Sequence, residues 1–287
     1  MGRILIAGCG YVGEAAADLF SARGWEVEGW TASAESARRL SEKPYGVRAV
    51  DIGDESAVSA AGGEFDVIVQ CASTGGGDAE HYRRIYLEGV RNLSRSFPRA
   101  KLVFISSTSV YAQKEGEIVD EESPAEPVHE KAKFLREAEE LALARGGIVA
   151  RLGGIHGPGR SFFLTKCLEG TAVLTSDDSR RFINQAHRDD IVAALLLLAE
   201  SGEVGIFNLV GDEPITAREA YEWLSSRLGT PLPTEAAKGS EARKRGTSNK
   251  RVTNKKLRAL GWVPKYPTFE IAMVRSILPS FGFDGIH

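Results

Sequence analysis

Hydrophobic positions in the first half of the chain fall into short uninterrupted runs: Ile4-Leu5-Ile6-Ala7, Val67-Ile68-Val69 and Leu102-Val103-Phe104-Ile105. Each run stops at glycine or a polar residue. Between them, apolar residues return every three or four positions, as at Val12, Ala16 and Phe20. A short run apolar on both faces reads as a strand of a covered sheet, whereas the wider spacing reads as an amphipathic helix. This pattern predicts strands over 3–7, 26–30, 47–51, 67–70, 101–105 and 148–151. It predicts helices near 12–23, 35–40, 78–97 and 130–145. Gly24 and the pair Gly146-Gly147 follow helices, where a left-handed cap favours glycine. Later signals are more mixed: a helix over 189–200, a strand over 206–209, and a helix opened by Thr216-Ala217-Arg218-Glu219, a capping-box pattern. The polar stretch 231–249 reads as a mobile loop, and no internal repeat is present. Strand and helix alternating at this spacing predict an α/β fold with a parallel sheet covered on both faces.

Composition narrows the function. With 287 residues, 43% hydrophobic and 26% charged, the chain matches a soluble globular protein. Its 36 basic and 39 acidic residues leave a net charge of -3, so no basic excess exists to neutralise a phosphate backbone. Nucleic acid is not an expected partner. Cys9, Cys71 and Cys167 form neither a disulfide framework nor a CxxC pair, which fits a reducing cytoplasm. The longest apolar run, 191–199, is far short of the ~20 residues that a membrane span needs. A soluble cytoplasmic protein is expected. His81, His129, His156, His187 and His287 show no metal-ligand spacing, so no metal is expected.

The strand over 3–7 runs into Gly8-Cys9-Gly10-Tyr11-Val12-Gly13 and then a helix. Three glycines alone can mark a plain turn; the strand–turn–helix context makes them a dinucleotide-binding loop. Gly8 permits the turn, Gly10 lets the backbone approach a pyrophosphate, and Gly13 lets helix and strand pack closely. The N–H groups of Tyr11, Val12 and Gly13 open the helix, where an anion is favoured. Cys9 reads as a small loop filler. An acid about 20 residues beyond the glycines is expected if the ribose of NAD is bound. The second strand ends instead at Thr31-Ala32-Ser33. No carboxylate repels a 2′-phosphate there, the hydroxyls of Thr31 and Ser33 could donate to it, and Arg38 and Arg39 are near in sequence. The expected cofactor is NAD(P), with NADP modestly favoured over NAD.

The loop, then Val50-Asp51-Ile52, "VIVQCAS" (67–73) and "VFISSTSVY" (103–111), resembles the extended short-chain dehydrogenase/reductase superfamily, which includes NAD-dependent epimerases and dehydratases of nucleotide sugars. "RLGGIHGPGR" (151–160), "NQAHRDDIVAALL" (184–196) and "FNLVGDEPIT" (207–216) match later landmarks. The resemblance implies a doubly wound Rossmann domain, 1–152 completed by 186–210, and a smaller C-terminal substrate-binding lobe, 153–185 and 211–287. It implies that Asp51 accepts from the adenine amino group, that Ile52 flanks the ring, and that Ala72 and Ser73 lie along the cofactor. A small-molecule substrate such as a nucleotide sugar is implied, and a homodimer is compatible with it.

The departures are chemical. None of the seven tyrosines has lysine four residues later, so the superfamily's Tyr-x-x-x-Lys pair is missing. Matching "PVHEKAKFLREAE" (127–139) to the usual helix start puts His129 at the tyrosine position and Lys133 at the lysine. Tyr86 stands where asparagine is usual. These features resemble the atypical extended subgroup. Ser107 matches the hydroxyl that orients the substrate oxygen. His129 and Lys133, four apart, share one helix face, and a lysine charge would keep the imidazole neutral and able to act as base. Tyr111 is the reserve proton donor, and His156 is a candidate pocket residue. Two functions stay open: an oxidoreductase or epimerase/dehydratase, and a sensor that binds dinucleotide without catalysis.

Overall fold

A computed structural model describes residues 2–235 and 248–283. The chain divides into two compact units. The first comprises Met1–Val110, Ala125–Arg151 and Ile191–Phe207; the second comprises Tyr111–Pro124, Leu152–Asp190 and Asn208–His287.

In the first unit strands and helices alternate from the start: β1 (Arg3–Ala7), α1 (Tyr11–Ala22), β2 (Glu26–Thr31), α2 (Ala34–Arg39), β3 (Gly46–Ala49), α3 (Glu55–Ala61) and β4 (Val67–Gln70). Next come α4 (Ala79–Tyr82), α5 (Gly89–Ser96), β5 (Lys101–Ser107) and α6 (Glu130–Leu143). A π-helical segment, Arg83–Glu88, joins α4 to α5, so the helix predicted over 78–97 is one passage with a widened middle. The seven-stranded sheet runs Gly205–Leu209, Ile148–Leu152, β5, β4, β1, β2, β3, and the pairs from β5 to β3 are parallel. Strand order therefore reverses between β1 and β4, and in such sheets ligands bind in the crevice beyond the carboxyl ends at that point. Ile4, Leu5, Ile6 and Ala7 are fully buried, which is why the run is apolar on both faces.

One charged cluster lies inside this core. Arg151 donates from Nε and Nη2 to the two oxygens of Glu139, at 3.0 and 2.7 Å. Ser106 Oγ donates to the same carboxylate at 2.6 Å, and Arg136 bonds it from the next turn. The strand Ile148–Leu152, β5 and α6 are thereby tied together.

The second unit holds short strand pairs: Gly154–His156 with Gln185–His187, Glu117–Val119 with Lys250–Val252, Val173–Leu174 with Thr234–Glu235, and antiparallel Phe182–Ile183 with Ile215–Thr216. Pairing with Lys250–Val252 is what puts Tyr111–Pro124 in this unit. Its core gathers Phe163, Tyr221, Phe269 and Met273. Thr216 and Glu219 form the predicted capping box at the start of Ala217–Leu228. Most of the loop expected over 231–249, residues 236–247, lies outside the described residues. Among the described residues, no helix is long and apolar enough to cross a membrane.

Candidate dinucleotide and active site

The turn after β1 is pinned by N–H bonds from Gly8 and Cys9 to the Trp30 carbonyl, at 3.0 and 2.8 Å. Its three glycines meet different surroundings. Gly8 has φ +114°, and a Cβ there would lie 2.3 Å from the Ala72 nitrogen. At Gly13 a Cβ would lie 2.0 Å from the Gly8 carbonyl oxygen and 2.8 Å from Cys71 Sγ. Gly10 is the opposite case: a Cβ there would meet nothing within 4 Å. Protein packing demands glycine at Gly8 and Gly13 but not at Gly10. Gly10 suits a ligand that needs the backbone bare, as a pyrophosphate does. Gly10 is also the N-cap of α1, with no side chain capping the first turn. Cys9 is buried, its thiol pushed up to about 12 by burial and then by the Glu14 charge. It fills space.

At the end of β2 the expected hydroxyl donors are already engaged. Thr31 is buried and donates to the Ser33 carbonyl at 3.0 Å; Ser33 Oγ caps α2 and donates to Ser36 Oγ. Both hydroxyls thus already have a local partner in the turn. Arg38 and Arg39 are exposed and make no ion pair among the described residues. Asp51 Oδ1 accepts from Gly53 N–H at 2.9 Å, and Oδ2 pairs with Arg84 at 2.7 Å. Ile52 is buried against Gly89, and Asn92 donates to its carbonyl at 2.9 Å. Arg84 was not read from the sequence, since an arginine on a helix ordinarily marks a solvated face.

Beyond the carboxyl ends of β4 and β5 come the residues expected at the reactive end. Ala72 donates to the Ala7 carbonyl at 2.9 Å and so sits against the glycine turn, followed by exposed Ser73. Ser107 ends β5, half-buried, and its Oγ accepts from Ser109 N–H at 3.1 Å. His129 is the N-cap of α6, exposed, with no cap bond from its ring; Lys133 is exposed one turn on. Among the described residues no hydrogen bond joins Ser107, His129 and Lys133. Three groups that sequence reasoning gave no role also pack together here: Lys131, Tyr82 and Tyr86. Lys131 donates to the Gly77 carbonyl and lies 5.2 Å from the ring centre of Tyr82. Tyr82 packs at 5.1 Å against Tyr86, the two rings tilted by 47°. The signal for these was aromatic residues four apart on one helix.

Tyr111 has a different task from the predicted one. It is fully buried in the second unit, and its hydroxyl donates to Asn208 Oδ1 at 2.9 Å. A phenol committed to a buried amide holds structure and is poorly placed to donate a proton to substrate. Lys250 bonds the Tyr111 carbonyl at 2.9 Å, and burial pushes that ammonium down to about 8. His156 is buried 5.8 Å from His187. Asp189 N–H donates to His187 Nδ1, so Nε2 carries the proton and donates to Ser276 Oγ at 2.9 Å. Among the described residues, no three of His, Cys, Asp and Glu gather as a metal-holding group.

The family model for the NAD-dependent epimerase/dehydratase family matches residues 4–209. Protein YeeZ of Escherichia coli K12 is 30% identical over 249 residues, covering 81% of this chain and 86% of YeeZ. Thermus thermophilus UDP-glucose 4-epimerase, solved with NAD, superposes with TM-score 0.81 at 23% identity, covering 99% of this chain and all of that one. The dTDP-glucose 4,6-dehydratase of Bacillus anthracis, also with NAD, gives 0.77 at 21%, covering 99% and 98%.

Proposed function

The chain belongs to the NAD-dependent epimerase/dehydratase family, and from that premise we propose that it binds NAD or NADP on its glycine loop and transforms a small hydroxylated substrate of the nucleotide-sugar kind. The contrast among the three glycines carries this reading: two are enclosed by protein, and the one that need not be glycine for packing faces open space. The bound dinucleotide supplies hydride transfer. The loop N–H groups and the α1 N-terminus hold its diphosphate. Asp51 and Ile52 take the adenine end, Ala72 and Ser73 lie along the middle, and Lys133 holds the nicotinamide ribose. Ser107 orients the substrate oxygen. For the proton, the spacing nominates His129, whose exposed imidazole can exchange with solvent.

NADP is the favoured form on this reading. Two features support it: the missing carboxylate at the end of β2, and Arg38 and Arg39, exposed and without an ion pair among the described residues. The missing Tyr-x-x-x-Lys pair favours a second reading, a dinucleotide sensor without turnover. Calorimetric titration with NADH and NADPH tests the proposal. Binding of either, with NADPH at least as tight, is expected. Failure of both to bind overturns the reading, and a clear preference for NADH removes only the NADP part.

A further inference from the structure

We propose that Arg84 sets the base specificity of the dinucleotide site: paired with Asp51 it presents a donor beside an acceptor, which fits adenine and rejects hypoxanthine. The inference rests on the dinucleotide reading and concerns its adenine end. β1, β2 and β3 run parallel, so the turn after β3 opens on the same edge as the glycine turn after β1. Two strand spacings put the turns ~10 Å apart, a gap that the adenosine half of a dinucleotide can bridge. Asp51 and Ile52 follow β3 and are fastened from beneath. Asn92 donates to the Ile52 carbonyl at 2.9 Å, and a Cβ at Gly89 would lie 2.8 Å from Ile52 Cδ1.

Arg84 reaches this turn from the π-helical segment. Its Nη1 donates to Asp51 Oδ2 at 2.7 Å, while Gly53 N–H donates to Oδ1 at 2.9 Å. The arginine lies across Gly53: a Cβ there would come within 2.8 Å of both Cγ and Nη1 of Arg84. The Gly53 φ lies outside the left-handed region, so the missing side chain serves Arg84 and not the backbone. Neighbouring Arg83 pairs instead with Glu80 and Glu88 along its own helix. Arg84 makes no other hydrogen bond or ion pair among the described residues. The side chains of Arg84 and Asp51 are 39% and 32% exposed, and an ion pair so open to water adds little to stability.

Both partners have capacity to spare. A carboxylate offers about four acceptor sites and a guanidinium five N–H donors. Asp51 can accept from the adenine amino group while Arg84 donates to the ring nitrogen beside it. Hypoxanthine carries a carbonyl oxygen where adenine carries the amino group. In the same pose the carboxylate would meet a second acceptor and lose its partner. A lost hydrogen bond to a charged group corresponds to ~10–100-fold in affinity.

Calorimetry with NAD+ and NADP+, each beside its hypoxanthine counterpart, tests this without turnover. The parent protein is expected to bind the adenine form ~10–100-fold more tightly. In Arg84→Ala that ratio should collapse toward one, through weaker binding of the adenine form, while the thermal midpoint holds. Gly53→Ala, which displaces the guanidinium but keeps it in the chain, should lower the ratio as well. A ratio near one in the parent overturns the inference. So does an Arg84→Ala protein whose two affinities fall together, because an arginine that only braces the turn acts on both bases alike. Failure of both NAD+ and NADP+ to bind the parent overturns the dinucleotide reading instead.

Discussion

Gly10 and Gly13 are three residues apart and should answer to substitution in opposite ways. Gly10→Val places its side chain in open space, so the thermal midpoint should hold while NADPH binding is lost in calorimetry. Gly13→Val drives a side chain onto the Gly8 carbonyl, and overpacking of that kind costs ~1–3 kcal/mol or more. A drop in the midpoint should precede any loss of binding there. The glycine spacing was legible because each glycine answers to backbone geometry that the motif itself encodes. The local bonds of Thr31 and Ser33 were not, since a hydroxyl takes whichever acceptor the turn offers. Tyr86 was visible only as a departure.

At the scale of elements, the long alternating strands and helices were readable because burial on both faces leaves a continuous apolar run. The two- and three-residue strands of the second unit were not, as so few positions carry no period. Nor did periodicity announce the π-helical segment, which shifts the helix face by one residue within an otherwise ordinary pattern. The Glu139 cluster ties three elements, and removing one partner strands a buried charge at a cost of ~3–5 kcal/mol. Glu139→Leu should therefore lower the stability measured by urea unfolding by that order, with Arg151 left inside the core. The paired strands Gly154–His156 and Gln185–His187 carry a pH signature. Burial pushes His156 down to about 3 and His187 down to about 4, from 6.5. Between about 6.5 and about 4 the unfolded chain binds more protons, so stability falls as pH drops through that window. Asp190, raised by burial to about 6, takes its proton in the folded state first and offsets part of the fall below that pH. Urea unfolding at pH 7 and 5 should show His156→Phe losing ~2 kcal/mol less in total between those pH values than the parent. An unchanged slope contradicts the buried neutral pair. Phenylalanine suits the site because His156 Nδ1 has no partner among the described residues.

For the whole molecule, family membership explains a seven-stranded sheet whose order reverses beside a glycine turn, and it leaves the chemistry to particular side chains. A scaffold shared with epimerases and dehydratases does not choose a substrate. What distinguishes this chain is a dinucleotide loop kept intact beside an α6 without its tyrosine. Catalyst and sensor both keep the loop; only a catalyst changes the redox state of what the loop holds. The direct measurement mixes the protein with NAD+ or NADP+ and a panel of UDP- and dTDP-sugars, and follows the absorbance of reduced nicotinamide on the protein. Reduced nicotinamide should form with at least one sugar nucleotide, and Gly10→Val should abolish the signal. Saturating dinucleotide binding with no reduced nicotinamide across the whole panel would contradict the catalytic account.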